Sequence, residues 1–274
     1  MDEDFEYEHE DRRPPPKPRK RSRSWQAFLW WREIMEMRKR HLLRISAVEK
    51  GKSNLSAQFE KDMMERADLE CLLEDSRGIM VDACADEFGG VWEWATAIKG
   101  LGAGGLLAQL LSQIDDIAPF ATISKLWRFC GMAVMGGQAE RCKKGEKAHY
   151  NRLLKSVCWQ IADQFVRQQT PLYVDVYYEE KAAQARAHPQ PLCSKCGALG
   201  EMRKGHWHCT ACSASGTQIS FTPAHFDARA KRKAVKIFLS HLWLRWREAE
   251  GLPVTQPYAQ AILGHTNIIQ PTGL

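Results

Sequence analysis

The chain has 274 residues, 44% hydrophobic and 26% charged, with a formal net charge of +6. This ordinary globular balance excludes a fibrous or wholly disordered chain. The longest apolar run, 98–114, carries Lys99, Gln109, Gln113 and four glycines, which excludes it as a membrane span. A mildly basic total permits a nucleic-acid partner without establishing one, so the distribution of charge matters more.

In chain order, residues 1–11 hold seven acids and no Lys or Arg, and residues 12–23 hold seven bases and four prolines. Neither block can build a core, so 1–23 is read as a disordered tail. It is either a solvated tail that compensates its own charge or a basic arm shielded by the acids until DNA competes.

Residues 24–88 have helical texture. Phe28, Trp31, Met35, Leu42 and Ile45 recur at three-to-four spacing. A break at Gly51–Asn54, with Ser53 or Asn54 as the cap, separates them from a second stripe of Leu55, Phe59, Met63, Leu69, Leu72 and Leu73. Two amphipathic helices across a short break make a helical hairpin, or a coiled-coil-like arm through which the chain forms a homo-oligomer. Aromatic and methionine residues at this spacing are read as core.

The densest apolar region is 89–180, again helical. Within it, Ile98-Lys99-Gly100-Leu101-Gly102 lies between two helical segments, with Gly104 and Gly105 just beyond. This is the hydrophobic-Gly-hydrophobic-Gly core of a helix-hairpin-helix. Glycine lets backbone approach a phosphate, and N–H groups at the next helix start point toward it. Ile98 and Leu101 would anchor the turn, with Lys99 at its rim. A nucleotide-binding glycine loop fails on context: no strand precedes it and no Gly-Lys-Ser/Thr follows. A glycine turn without ligand is the plainer alternative.

Residues 181–222 change character to turn-rich and cysteine-paired. Cys193-x-x-Cys196 and Cys209-x-x-Cys212 are two knuckles twelve residues apart, joined by GEMRKGHWHC, a hairpin turning near Lys204-Gly205. Each knuckle aims two thiolates at one point, and together they complete a tetrahedron for one structural zinc ion. His206 and His208 are substitute ligands only. Four thiolates leave no open position for catalytic water, and two such pairs argue against a thioredoxin-like couple. The other cysteines (71, 84, 130, 142 and 158) stand singly, which suits a reducing cytoplasm with buried thiols. With no signal peptide, the expected location is cytoplasmic and nucleoid-associated.

Residues 223–252 form a closing helix. Its apolar side is Val235, Phe238, Leu239, Leu242 and Trp246, and its basic side is Arg229, Lys231, Arg232, Lys233 and Lys236. Residues 253–274 read as an irregular tail. The fold class expected is mainly α: a helical arm, a helix-hairpin-helix domain and an inserted zinc ribbon.

Three stretches carry a family resemblance: IKGLGAGGLLAQLLSQIDDIAPFATISKLWRFCGM (98–132), KKGEKAHYNRLLKSVCWQIADQF (143–165) and PLYVDVYYEEK (171–181). In order and spacing they resemble the C-terminal domain of the insertion-sequence transposases that pair a DEDD nuclease with a serine-bearing domain, the bridge-RNA-guided recombinases. The arm at 24–88 is similar to that family's coiled coil. The resemblance implies a transposase-derived DNA-binding protein, and a guide RNA or a separate nuclease subunit as further partners. The family's nuclease is missing from the sequence, and 132–147 holds no serine where the nucleophile belongs. Cys142 is the one nucleophilic side chain nearby and takes no catalytic role. Phosphate contacts are therefore expected from Lys99, Gly100, Gly102 and Gly104, from Arg141, Lys143, Lys144, Lys147 and Arg152, and from the basic face at 229–236. Two other classes stand beside this one: a subunit of a split recombinase, and a protein–protein adaptor.

Overall fold

The first helix shows how distant residues fix an element's start. α1 (Arg23–Glu49) opens at Ser22, whose hydroxyl accepts from the Trp25 N–H. The Glu87 carboxylate accepts the N–H groups of Arg23 and Ser24 at 2.7 and 3.0 Å, satisfying two donors that a helix leaves unpaired. Asp115 in turn accepts from the Ser22 N–H at 3.2 Å.

The structure is a computed structural model describing residues 21–102, 105–135, 138–140, 142, 145 and 147–255. Among these residues it is mainly helical, with eight α-helices and six short strands in three antiparallel pairs. No helix among them is long and apolar enough to cross a membrane. The chain divides into two compact units. One comprises residues up to Ala121 with Arg245–Thr255, and the other is built on Thr122–Leu244.

In the first unit, α1 is followed by α2 (Ala57–Arg66), α3 (Leu69–Thr96) and α4 (Leu106–Ile114). The break after α1 falls at Gly51, in the left-handed region at φ 65°. The cap of α2 is Ser56, which accepts from the Phe59 N–H, and not Ser53 or Asn54. Ser53 accepts instead from Leu55, inside the loop. Asp68, left-handed at φ 46°, divides the second predicted stripe into α2 and α3. α3 itself bends at Gly89 (φ 41°, ψ −118°).

The core of this unit is formed by α3 and α4 through Met80, Ala83, Cys84, Leu107, Leu110 and Leu111, with Phe28 and Ile34 buried on α1. Part of the predicted second stripe is not core: Leu55, Phe59, Met63 and Leu72 are exposed. α2 turns a different side to α1. Its buried Glu60 carboxylate lies 2.6 Å from His41 and 3.5 Å from Arg44. Arg247, also buried, donates to the carbonyls of Ile117, Phe120 and Pro253 and so ties 245–255 to the loop after α4.

In the second unit, α5 (Ile123–Phe129), α6 (Arg152–Arg167), α7 (Tyr173–Ala187) and most of α8 (Pro223–Ala249) enclose an aromatic core. Phe165 stacks on Tyr173 at 4.6 Å, and Phe238 meets both rings edge-on at 5.5 and 5.8 Å. The apolar side predicted for 223–252 is buried throughout. Two strands, β1 (Val134–Met135) and β2 (Gln138–Ala139), pair before α6. Cys130 and Cys158 are buried thiols here, and burial pushes Cys130 well above the usual thiol range.

Candidate metal centre

Between α7 and α8 the chain folds into β3 (Leu192–Cys193), β4 (Gly200–Arg203), β5 (His206–Cys209) and β6 (Ile219–Ser220). β4 pairs with β5 from Gly200 opposite Cys209 to Arg203 opposite His206, and β3 pairs with β6. The hairpin turns at Lys204-Gly205, both left-handed (φ 47° and 79°), the backbone that the twist of a two-residue hairpin demands. At the first knuckle the chain reverses through Gly197, left-handed at φ 73°, whose N–H donates to the Cys193 carbonyl. At the second, the N–H groups of Ala211 and Cys212 both donate to the Cys209 sulfur at 3.3 Å.

These turns bring four sulfurs together: the ligand atoms of Cys193, Cys196, Cys209 and Cys212 all lie within 4.8 Å of one another. Measured separations are 3.7 Å for Cys193–Cys212, 3.5 Å for Cys196–Cys209 and 3.7 Å for Cys196–Cys212. Four thiolates bound at ~2.3 Å in a tetrahedron stand about 3.8 Å apart, so the cage is already near that size. Neither His206 nor His208 belongs to the cluster.

The electrostatics also suit a cation. The Ala211 N–H foremost draws Cys209 down to about 6. Cys196 is pulled down by the Ala198 N–H, yet its neighbouring thiols, Cys209 first, push it up to about 12. Four sulfurs this close cannot all ionise by themselves, and a divalent ion bound among them would supply the missing charge.

The ribbon has little apolar material besides the cage. Ile219 is fully buried beside Cys193, Cys209 and Ala214, with Trp207 packed against them. A Cβ on Gly200 would come 2.5 Å from the Ile219 side chain. Gly200→Ala is therefore expected to displace Ile219, cost about 1–3 kcal/mol, and weaken metal retention. Competition with a chromophoric chelator measures this, and an unchanged midpoint would show that Ile219 yields freely.

The glycine turn lies in the first unit, between α3 and α4. Gly100 is left-handed at φ 90°, Leu101 is buried, Ile98 is half-buried and Lys99 is exposed. Open space surrounds Gly102, and Gly104 lies outside the described residues. Gly105, left-handed at φ 80°, starts α4, and a Cβ there would lie 3.0 Å from Nε of Arg77. Sequence reasoning missed Arg77, a cation beside this helix start. It reaches the turn by a tertiary approach that no local pattern announces.

In the second unit, Arg141, Lys143 and Lys144 lie outside the described residues, while Lys147 and Arg152 are exposed. The bases of α8 have partners within that unit. Arg229 donates to Gln184 at 2.7 Å, Lys231 pairs with Asp163 and Asp227 at 2.8 Å, and Lys233 pairs with Glu180 at 2.6 Å. Arg232 lies over the Trp159 ring at 5.5 Å, and Lys236 over Trp127 at 3.9 Å. Burial first, then the neighbouring Arg232, lowers the Lys236 amine to about 8.

Comparison with protein-family models, with curated proteins and with solved structures finds no match to this chain.

Proposed function

We propose that the cysteine quartet holds one structural zinc ion and that the chain is a DNA-binding protein contacting the phosphate backbone. Thiolate ligands and near-tetrahedral spacing favour zinc, and a closed shell without an open position gives it a folding role. The DNA reading rests chiefly on the turn between α3 and α4. Gly100 holds a left-handed backbone, Leu101 pins the turn inward, and Lys99 stands exposed at its rim. Such a turn holds backbone without reading sequence. The exposed Lys147 and Arg152 add charge in the second unit. Descent from an insertion-sequence transposase and a nucleoid-associated location belong to the same proposal, which contains no catalytic step.

A titration against duplex and branched DNA tests it. Binding is expected at ~50 mM salt, weakening by about 10²–10³-fold at ~200 mM if some five phosphates are neutralised. Alanine at Lys99, Lys147 and Arg152 should flatten the log–log slope by about 0.9 for each phosphate no longer neutralised. No affinity at ~50 mM salt would sink the proposal. A protein–protein adaptor is the second reading. Its support is the engagement of the α8 bases with Asp163, Glu180 and Gln184, which lowers the net field of that face.

A further inference from the structure

α3 carries seven acids and one base, while residues 12–20 are five bases and four prolines and nothing else. Arg38 meets Glu70, and Arg23 meets Asp86 with its backbone N–H on Glu87. α1 and α3 are thus antiparallel, in a register that sets Trp30 level with Ile79 and Met37 level with Leu72. At 100° per residue, Trp30 and Met37 lie about a quarter-turn from the buried centre of α1 at Ala27, Ile34 and Ile45, with Glu33 beside them. Leu72 and Ile79 have the same offset on α3 from Ser76, Met80 and Ala83, and Asp75, Asp82 and Asp86 border them on the outer side. Because the helices run oppositely, equal offsets open on the same side of the pair. The result is an apolar strip edged by carboxylates. Trp30 and Ile79 are 50% and 53% exposed, and Met37 and Leu72 are both 40%. Arg23 holds Asp86 at the near end, but Glu33, Asp75 and Asp82 are exposed and meet no base among the described residues.

We propose that this strip receives residues 12–20 of the same chain as an extended polyproline II segment. Its chemistry suits that occupant twice over. Proline-rich segments dock on surfaces that carry exposed aromatic rings, because they are extended beforehand and lose little entropy. Bases between the prolines then meet the carboxylates along the edge, which a neutral or acidic peptide would leave uncompensated. The reach fits as well. The segment runs directly into Arg21 and Ser22, which Asp115 holds, level with Glu87 at the near end of the strip. From there to Met37 and Leu72 is ~22 Å of helix at 1.5 Å per residue. Nine residues of polyproline II span ~28 Å at 3.1 Å each, enough to cover the whole strip. Folded back along α1, the segment sets Pro18 near the level of Trp30 and Pro14 near that of Met37. Its bases are then neutralised by α3 and withheld from phosphates. The inference rests on neither the zinc nor the DNA reading, and stands or falls apart from both.

Carbodiimide coupling, which joins a lysine amine to a carboxylate with loss of water, tests it on the full zinc-loaded chain. In a mixture of isotopically light and heavy chains, links from Lys17 to Asp75 or Asp82 are expected within single chains. Asp75→Asn with Asp82→Asn should remove them. The same pair should speed trypsin cleavage after Arg12 about threefold to tenfold, as should Trp30→Ala, which leaves the acids in place. Far-UV circular dichroism reports whether these variants stay folded. Where they do not, the wild-type chain at ~500 mM salt makes the measurement without substitution, its cleavage rising severalfold relative to a free peptide of residues 1–20. Links formed only between chains, or only to the acids of residues 2–11, overturn the proposal. So does cleavage that neither salt nor any folded variant alters.

Discussion

Cys209→Ser is expected to strip the ribbon of its metal and unfold residues 191–220 while α1–α8 persist. Cys209 is the member of the quartet that its surroundings prepare most for a cation: two backbone N–H groups donate to its sulfur, and its thiol is drawn down to about 6. A serine oxygen there forms a shorter, harder contact and leaves a cage sized for sulfur. The remaining ribbon core of Cys193, Ala214 and Ile219 is too small to stand without metal. Structural zinc contributes roughly 10–16 kcal/mol to small domains of this kind, so loss of one ligand should lower affinity by about three orders of magnitude or more. Metal analysis of purified protein should fall from one equivalent to near zero, and amide protection should vanish across β3–β6 while the helices keep theirs. A variant that keeps a full equivalent with β4 and β5 protected would show that Cys209 is not a ligand.

Arg247→Ala should produce a stability loss as large as truncation of a buried core aromatic. Its buried guanidinium donates to Pro253 at 2.8 Å, Phe120 at 3.2 Å and Ile117 at 3.3 Å, all carbonyl oxygens. Alanine removes every donor and leaves these acceptors facing a void. At about 1–3 kcal/mol for each carbonyl that water cannot reach, a total of about 3–5 kcal/mol is expected after partial relaxation. Arg247→Lys keeps the charge but cannot address three oxygens from one planar group, and should lose about half as much. Denaturant titration decides: a loss under about 1 kcal/mol for alanine would mean the loop after α4 holds itself.

What the sequence discloses depends on how far apart the deciding atoms lie. The ribbon is written in local spacing: paired cysteines, Gly197 past the first knuckle and Lys204-Gly205 at the turn are all decided within a few residues. The buried side of α8 is legible for the same reason, as a single stripe at helical period. The bases on its other side read as free because Asp163, Glu180 and Gln184, which engage them, lie on α6 and α7. Phe59 and Met63 read as core because periodicity reports that a helix has an apolar side, without reporting what covers it. The left-handed Asp68 has no signature, since aspartate tolerates that backbone without requiring it. The clasp of Ser22, Glu87 and Asp115 joins three distant segments, which only the folded chain brings together.

The ownership of α8 bears on the order in which the chain can be completed. Its residues up to Leu244 belong to one unit, while Arg245–Thr255 belong to the other, whose remaining members end at Ala121. During synthesis the earlier unit therefore waits for its last piece until more than a hundred intervening residues have emerged. Until Arg247 arrives, the carbonyls of Ile117 and Phe120 lack the guanidinium that they accept from in the finished protein. The N-terminal unit is thus the second to close, and fragments cut after residue 121 should be less stable than their burial suggests, because the segment they lack is the one that seals them.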